Sequence, residues 1–282
     1  ANAKEAALVS GIDVRCVETL RDFVDAAAGK KVLDAAGSGS VRRAPQRAIE
    51  DMADVRGQAG ARRAIEIAAA GGHNLLMIGP PGSGKTMLAK RIGGILPELT
   101  EKEAIEVMAI ESVAGLLART EVTTDRPFRA PHHTVSDVGL VGGGEMPRPG
   151  EVSLAHHGVL FLDELAEFRR SALEALRQPL EDGCVTISRA QARATFPARP
   201  LVVGAMNPCP CGYQGDGTSR CHCSFERTKF YRAKLSGPLL DRLDVHVVLP
   251  PVDVAALSSR ERGESSASVR ARVERARLIQ RA

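Results

Sequence analysis

The sequence predicts an α/β fold in which a parallel sheet is covered by helices on both faces. Three observations support this prediction. Short apolar segments alternate with helical segments between about residues 54 and 250, these segments are apolar enough to be buried strands, and a glycine-rich turn joins the first of them to a helix. Buried strands separated by helices are typical of parallel sheets.

The elements follow from apolar periodicity and from capping residues. Residues 1–28 predict a short strand and a helix at 20–28, and residues 29–50 have the composition of a linker. Core helices are predicted at 58–70, 85–96, 104–117 and 165–181. Core strands are predicted at 75–78, 159–162, 201–206 and 245–249, with a hairpin that pairs 185–187 with 193–196. Residues 120–151 are expected to be irregular, and 268–281 to form an Arg-rich helix.

The composition of the chain excludes several classes of protein. The 282 residues are 44% hydrophobic and 26% charged, which excludes a disordered or fibrous chain, and only 3% are aromatic, which disfavours a base-stacking surface. The net charge of +4 permits nucleic-acid binding without indicating it. Without an 18-residue apolar run or a signal peptide, we expect a cytoplasmic protein whose six cysteines bind metal or stay free.

The glycine-rich turn fits the pattern G-x-x-x-x-G-K-[ST]. It consists of Gly79, Pro80, Pro81, Gly82, Ser83, Gly84, Lys85 and Thr86. Glycines let backbone N–H groups point into one concavity, and the N-terminus of the next helix adds positive charge. Lys85 is expected to contact the β- and γ-phosphates of ATP, and the Thr86 hydroxyl to ligate Mg²⁺.

Two acids follow the predicted strand 159–162. Asp163 is expected to hold Mg²⁺, mostly through water, and Glu164 to polarise the attacking water. The alternative is a solvated first turn of the next helix, where acids are also favoured. Beside a phosphate-binding turn at the same sheet edge, we favour the catalytic interpretation.

A single amide follows the predicted strand 201–206. Asn207 can offer a hydrogen bond to a γ-phosphate oxygen or to the attacking water. The alternative is an asparagine that is present only for the turn before Pro208. The two other motifs favour the catalytic role.

Longer stretches of the chain resemble the magnesium-chelatase-like family of AAA+ ATPases over residues 51–252. The stretches that carry the resemblance lie at residues 54–58, 126–134, 142–144, 160–165, 178–183, 207–212 and 236–244. Residues 1–28 resemble the end of that family's Lon-protease-like N-terminal domain. The family usually has Asn at the position of His157 and Pro at the position of Ala166.

The resemblance implies a P-loop core with inserted β-hairpins, and a hexameric motor that promotes branch migration of DNA in homologous recombination. It divides the chain into an N-terminal remnant (1–28), a linker (29–50), the ATPase core (51–250) and the start of a C-terminal helical lid (251–282). It also implies that Arg242 is an arginine finger at a neighbouring subunit's ATP. The residues alone favour a surface pair of Arg242 with Asp241 or Asp244.

Four of the six cysteines fall within 15 residues. Cys209, Cys211, Cys221 and Cys223 suit tetrahedral Zn²⁺, with His222 as a substitute ligand, although one-residue spacing within each pair is tight. The alternative is a loop of free thiols. Cys16 and Cys184 are expected to be packing residues.

Three cationic segments are candidates for contact with DNA phosphates, and the alternative is a set of solvated loops. The first holds Arg126, Arg129, His132, His133 and Arg148; the second Arg189, Arg193 and Arg199; and the third Arg227, Lys229, Arg232 and Lys234.

Two other functions compete with a DNA motor. One is a magnesium-chelatase-type ATPase subunit that drives metal insertion into a tetrapyrrole, which the cysteines and residues 1–28 disfavour. The other is a nucleotide-gated scaffold that barely hydrolyses ATP, which the complete set of catalytic candidates disfavours.

Overall fold

A computed structural model describes residues 6, 11–35, 50–116, 125–189, 192–252 and 262–282. The chain divides into two compact units, residues 1–46 with 99–124 and residues 47–98 with 125–282. The predicted linker positions 36–49 and lid positions 253–261 lie outside the described residues. The four-part domain division stays a prediction.

The helices and strands are numbered in chain order. The helices are α1 (Leu20–Ala27), α2 (Ala59–Gly71), α3 (Lys85–Ile95), α4 (Glu101–Ala114), α5 (Asp137–Val141), α6 (Glu151–Leu154), α7 (Arg170–Ala175), α8 (Arg177–Asp182), α9 (Phe225–Arg232), α10 (Gly237–Leu240) and α11 (Ser266–Arg281). The strands are β1 (Leu75–Ile78), β2 (Phe128–Arg129), β3 (Gly142–Gly143), β4 (Arg148–Pro149), β5 (Val159–Leu162), β6 (Cys184–Ser188), β7 (Arg193–Pro197), β8 (Leu201–Met206) and β9 (Val245–Val248).

Five strands form one parallel sheet in the order β2–β5–β8–β1–β9. β1 lies between two strands that come much later in the chain, with Leu75 opposite Val203 of β8 and Val245 of β9. The predicted parallel sheet is confirmed, together with its four predicted strands. β2 is only two residues long and could not be predicted from the sequence.

The sheet is buried on both faces. Met77 of β1 packs with Ile65 of α2, Leu88 of α3 and Val273 of α11 on one face. Leu76 of β1 belongs to the core on the opposite face, together with buried residues of α5, α6 and α7. Because successive strand residues point to opposite sides, an uninterrupted apolar strand is buried on both.

The predicted hairpin is present as the antiparallel pair β6–β7, in which Val185 lies opposite Phe196. The single helix predicted over 165–181 is wrong. The chain forms a 3₁₀ turn at Leu165–Glu167 and then α7 and α8, because Phe168 and Arg169 are extended, with ψ of 149° and 136°. Pro179 also has no N–H to donate within α8.

Residues 125–151 are more regular than expected. They contain β2, α5, α6 and the short antiparallel pair β3–β4. Residues 120–124 of this predicted irregular segment lie outside the described residues. Helix α9 was not predicted either, because its mean hydropathy is low and only Thr228 and Tyr231 are buried.

The unit of residues 1–46 and 99–124 contains α1 and α4. Each helix begins with a capping box, Thr19 with Asp22 and Thr100 with Glu103. No strand forms within the described residues 11–35, where the predicted strand is replaced by a single bridge between Arg15 and Ala35. Among the described residues, no helix is both long and apolar enough to cross a bilayer.

Gly158 provides a test of the packing between β2 and β5. A Cβ at this position would lie 1.9 Å from the carbonyl oxygen of Pro127, and this carbonyl accepts the hydrogen bond of the Val159 N–H. We therefore expect Gly158→Ala to lower the free energy of unfolding by about 1–3 kcal/mol. Urea denaturation measures the change.

The matched control is Gly93→Ala in α3, where a Cβ meets no atom within 4 Å. Because alanine restricts the unfolded chain, this variant is expected to gain about 0.5–1 kcal/mol. Equal unfolding midpoints for the two variants would contradict the packing argument.

Candidate active site

The phosphate-binding turn is the glycine-rich segment of residues 79–86, which connects β1 to α3 and lies at the carboxyl edge of the sheet. The Gly79 N–H donates to the carbonyl of Met206, the last residue of β8. A Cβ on Gly79 would lie 2.7 Å from Ser83 Oγ and 2.8 Å from the Leu249 carbonyl oxygen. Gly84 caps α3 with φ of 90°, in the left-handed region that glycine favours. The turn thus requires glycine at both ends.

Lys85 joins the turn to the end of β8. Its Nζ donates to the carbonyls of Gly79 (2.6 Å) and Pro80 (3.0 Å) and to Asn207 Oδ1 (3.3 Å). Burial lowers the pKa of Lys85, and the charge of Asp163 opposes this change. The structure therefore brings Lys85, Asn207 and Asp163 together at one edge, as the strand order requires.

Thr86 and Asp163 are in direct contact. The Thr86 hydroxyl donates to Asp163 Oδ2 at 2.7 Å, and the Glu164 N–H donates to Asp163 Oδ1 at 2.9 Å. Hydroxyl and carboxylate oxygens are the ligands that Mg²⁺ prefers. The donor set at the end of β5 thus fits Mg²⁺ beside a nucleotide phosphate.

Glu164 follows Asp163 in a left-handed conformation with φ of 53°. Its side chain is 56% exposed and contacts His133, with Oε2 3.0 Å from His133 Nδ1. A non-glycine residue at positive φ is uncommon, and such residues concentrate at functional sites. The sequence analysis had placed His133 only among the candidates for DNA contact.

Gln58 is a site residue that the sequence analysis missed. Its Nε2 donates to the carbonyls of Ser83 (3.1 Å) and Pro250 (2.8 Å), and its Oε1 is buried with no partner in the described part of the chain. Gln58 belongs to the stretch 54–58 that carries the family resemblance, and this was the only sequence feature that could have pointed to it. Its left-handed backbone, with φ of 51°, could not be predicted. Gln58 fixes one wall of the phosphate-binding turn.

Arg242 lies at the opposite end of β1 from the phosphate-binding turn. Its carbonyl accepts a hydrogen bond from Asn74, the residue before β1, whereas the turn follows β1. At about 3.3 Å per residue, this strand separates the two positions by roughly 15 Å. Neither Asp241 nor Asp244 pairs with Arg242. Its guanidinium instead contacts Glu181 Oε2 at 2.9 Å and lowers the pKa of this carboxyl.

Asn74 connects these elements and was also missed. Its N–H donates to Asp244 Oδ2, its Nδ2 donates to the Arg242 carbonyl, and its Oδ1 accepts from the Val202 N–H. One side chain therefore holds β1, β8 and the segment before β9 in register.

Several of the predicted DNA-contacting cations are engaged within the chain. Arg126 donates to backbone carbonyls of Pro97, Glu98 and His157, and Arg129 pairs with Glu151. Arg232 donates to the carbonyl of Pro208, and Lys234 pairs with Glu167. Among the remaining arginine and lysine candidates, all six are exposed: Arg148, Arg189, Arg193, Arg199, Arg227 and Lys229.

The four clustered cysteines lie together after β8. The Sγ atoms of Cys209, Cys211, Cys221 and Cys223 are all within 4.8 Å of one another, and Cys209 is fully buried. Cys16 and Cys184 lie outside this cluster and are partly buried.

Comparison with solved structures finds a chain of NtrX from Brucella abortus in complex with ADP. It aligns with a TM-score of 0.44 at 19% sequence identity, over 70% of this chain and 37% of that one.

Several curated relatives match almost the whole chain. Competence protein ComM of Haemophilus influenzae is 47% identical over 284 residues, which cover 99% of this chain and 55% of that protein. The uncharacterized protein YifB of Escherichia coli is 47% identical over 279 residues, which cover 98% and 54%. This chain therefore spans about half the length of these relatives.

The family model described as magnesium chelatase, subunit ChlI, matches residues 51–257. The match includes the phosphate-binding turn, the acids after β5, Asn207, the cysteine cluster and Arg242. The parallel sheet of five strands, with the glycine-rich turn after its β1, is the α/β core of a P-loop NTPase. The chain belongs to the magnesium chelatase subunit ChlI family.

Proposed function

We propose that this chain is the ATP-hydrolysing core of a DNA motor of the ComM type. The observation that carries the proposal is the meeting of three strand ends, where Thr86 contacts Asp163 and Lys85 contacts Asn207. The 47% identity to a protein named for competence supports the motor over other members of the family. In this proposal a cytoplasmic hexamer promotes branch migration, with helicase action, during recombination of incoming DNA in natural transformation.

The cofactors in this proposal are ATP and Mg²⁺. Backbone N–H groups within residues 82–86 and the Lys85 ammonium hold the phosphates, and the unpaired Oε1 of Gln58 can accept a hydrogen bond from the nucleotide. Thr86 and Asp163 hold Mg²⁺, which supplies positive charge against the charge that develops on the phosphates. Glu164 removes a proton from the attacking water, and Asn207 donates to the γ-phosphate.

Arg242 is assigned to the ATP of a neighbouring subunit. It lies at the end of β1 away from its own phosphate-binding turn, and 40% of its side chain is exposed beside Glu181. An arginine at the transferring phosphate stabilises charge that develops in the transition state. A ring of subunits places such a residue at each interface, so the proposal requires an oligomer.

The surface proposed to hold DNA lies where the two short antiparallel pairs adjoin. Arg189, after β6, donates to the carbonyl of Gly144, between β3 and β4. The exposed cations Arg148, Arg189 and Arg193 are therefore carried by neighbouring segments. Such a surface binds phosphates without reading base sequence.

The proposal is tested by measuring the ATPase rate of purified protein with and without single-stranded or forked DNA. We expect DNA to stimulate turnover. Indifference to DNA, together with stimulation by a tetrapyrrole-binding chelatase partner, would favour the metal-insertion function instead.

We expect Arg189→Ala and Arg193→Ala each to weaken binding of a labelled single-stranded oligonucleotide. Because each phosphate contact on a single strand contributes a slope of about 0.7 to the salt dependence, each variant should reduce that slope by about this amount. Fluorescence anisotropy over a series of salt concentrations measures it. The control is Arg177→Ala, which removes the same charge at the start of α8, where Arg177 pairs with Glu174 of α7, and this variant should bind as the wild type does.

A further inference from the structure

The cysteine cluster has the dimensions of a metal site. The Sγ atoms are separated by 3.4 Å (Cys209 to Cys211), 3.8 Å (Cys209 to Cys221) and 3.7 Å (Cys211 to Cys221). In a tetrahedral zinc site with Zn–S bonds of about 2.3 Å, neighbouring sulfurs lie about 3.8 Å apart. All three separations are far longer than the sulfur–sulfur bond of about 2.05 Å in a disulfide.

The loop that carries the thiols is ordered by its own hydrogen bonds. Between the two cysteine pairs, Asp216 accepts hydrogen bonds from the backbone and hydroxyl of Thr218 and from Arg220. Arg220 also lies over the ring of Tyr213, 4.4 Å from its centroid. The loop therefore folds back on itself and brings the second pair of cysteines to the first.

The cluster is also connected to the candidate active site. Asn207 lies two residues before Cys209, at the end of β8. A Cβ on Gly212 would lie 2.9 Å from Pro81 Cδ and 3.7 Å from Asn207 Cγ, so the loop packs closely on the phosphate-binding turn. Arg232 of α9 donates to the carbonyl of Pro208, so α9 contacts the same segment.

We propose that Cys209, Cys211, Cys221 and Cys223 bind one structural Zn²⁺, which holds the loop after β8 against the phosphate-binding turn and so positions Asn207. The positioning role rests on the proposed ATPase function, whereas the metal site does not. The ion ties residues 209–211 to residues 221–223, directly before Ser224, the N-cap of α9.

The metal site is tested by the zinc content of protein purified without chelators. We expect about one zinc ion per chain and at least a tenfold loss in Cys211→Ser and Cys221→Ser. Cys184→Ser, outside the cluster, is the control and should keep its zinc. Because a ligand variant can misfold, replacement of the bound ion by Co²⁺ in the wild type provides a second readout, the absorption spectrum of tetrahedral cobalt thiolate. Absence of metal with all four thiols freely titratable would overturn the site.

The positioning role is tested with two glycine variants that leave the ligands intact. Gly212 and Gly215 both have positive φ, 85° and 77°, but a Cβ on Gly215 meets no atom within 4 Å. We expect Gly212→Ala to lower ATP turnover about tenfold with zinc retained, and Gly215→Ala to lower it much less. Equal turnover in the two variants would overturn the positioning role. A protein without ATPase activity would overturn the proposed function, while zinc content would still decide the metal site.

Discussion

Replacing Arg242 by alanine is expected to reduce ATP turnover by the assembled protein about 10³- to 10⁵-fold while nucleotide binding is retained. This expectation rests on the position of Arg242 within its own subunit. Its carbonyl accepts a hydrogen bond from Asn74, at the end of β1 that lies away from the phosphate-binding turn. Its side chain is 40% exposed beside Glu181, and in the proposed ring it acts at the site of another subunit. Turnover in the assembled protein and nucleotide affinity by fluorescence titration measure the two effects separately.

The control for Arg242 is its own ion-pair partner. Glu181→Ala removes the 2.9 Å contact without removing the guanidinium, so it should reduce turnover far less. A mixture of Lys85→Ala and Arg242→Ala chains provides a sharper test. Each variant alone is expected to be inactive, and mixed rings should regain activity at interfaces that receive Lys85 from one chain and Arg242 from the other. No recovery in mixed rings of confirmed assembly would contradict action between subunits.

Glu164→Gln is expected to reduce hydrolysis about 10²- to 10⁴-fold, because an amide cannot accept the proton of the attacking water. ATP binding should persist, since Lys85, Thr86 and Asp163 remain. The measurement is single-turnover hydrolysis together with nucleotide affinity. The near-isosteric change also keeps a hydrogen-bonding group for His133 at the position now 3.0 Å from its Nδ1.

Glu167→Gln is the matched control for this variant. Glu167 lies three residues further along, in the 3₁₀ turn, and pairs with Lys234 at 3.2 Å. It makes no contact with the phosphate-binding turn among the described residues, so its loss should leave hydrolysis near the wild-type rate. Comparable losses in both variants would indicate a general effect of charge rather than catalysis by Glu164.

The strand, turn and helix at residues 75–95 could be predicted from the sequence because local signals agree there. An apolar strand, glycines at sterically restricted positions and a helix after Gly84 all specify one arrangement. The positions of the two acids after β5 and of the amide after β8 could also be predicted, because the carboxyl ends of parallel strands lie at one edge of the sheet.

The break between the 3₁₀ turn and α7 could not be predicted, because the apolar periodicity of residues 165–181 continues through Phe168 and Arg169. The pairing of Arg242 with Glu181 was also unpredictable, because it joins elements that are distant in the sequence. The side chains of Gln58 and Asn74 make hydrogen bonds to backbone groups that are distant in the sequence, and such contacts leave no pattern in a single sequence.

The presence of His157 where the family usually has Asn is explained by the backbone conformation at this position. His157 has φ of 56°, a left-handed conformation in which Asn, Asp and His are enriched among non-glycine residues. The Asn expected from the family and the His found here therefore satisfy the same backbone requirement. The departure changes the side chain without changing the turn that precedes β5.

The sheet order has a consequence for synthesis of the protein. Both neighbours of β1 are made long after it, because β8 begins at Leu201 and β9 at Val245. Ribosomes add about 5–20 residues per second, so the apolar segment Leu75–Ile78 emerges on the order of ten seconds before either neighbour. During that time its N–H and C=O groups remain open to other nascent chains. The sheet edge that carries the nucleotide site therefore cannot form before β8 has been synthesised, and chaperones that shield short apolar segments should raise the yield of folded protein.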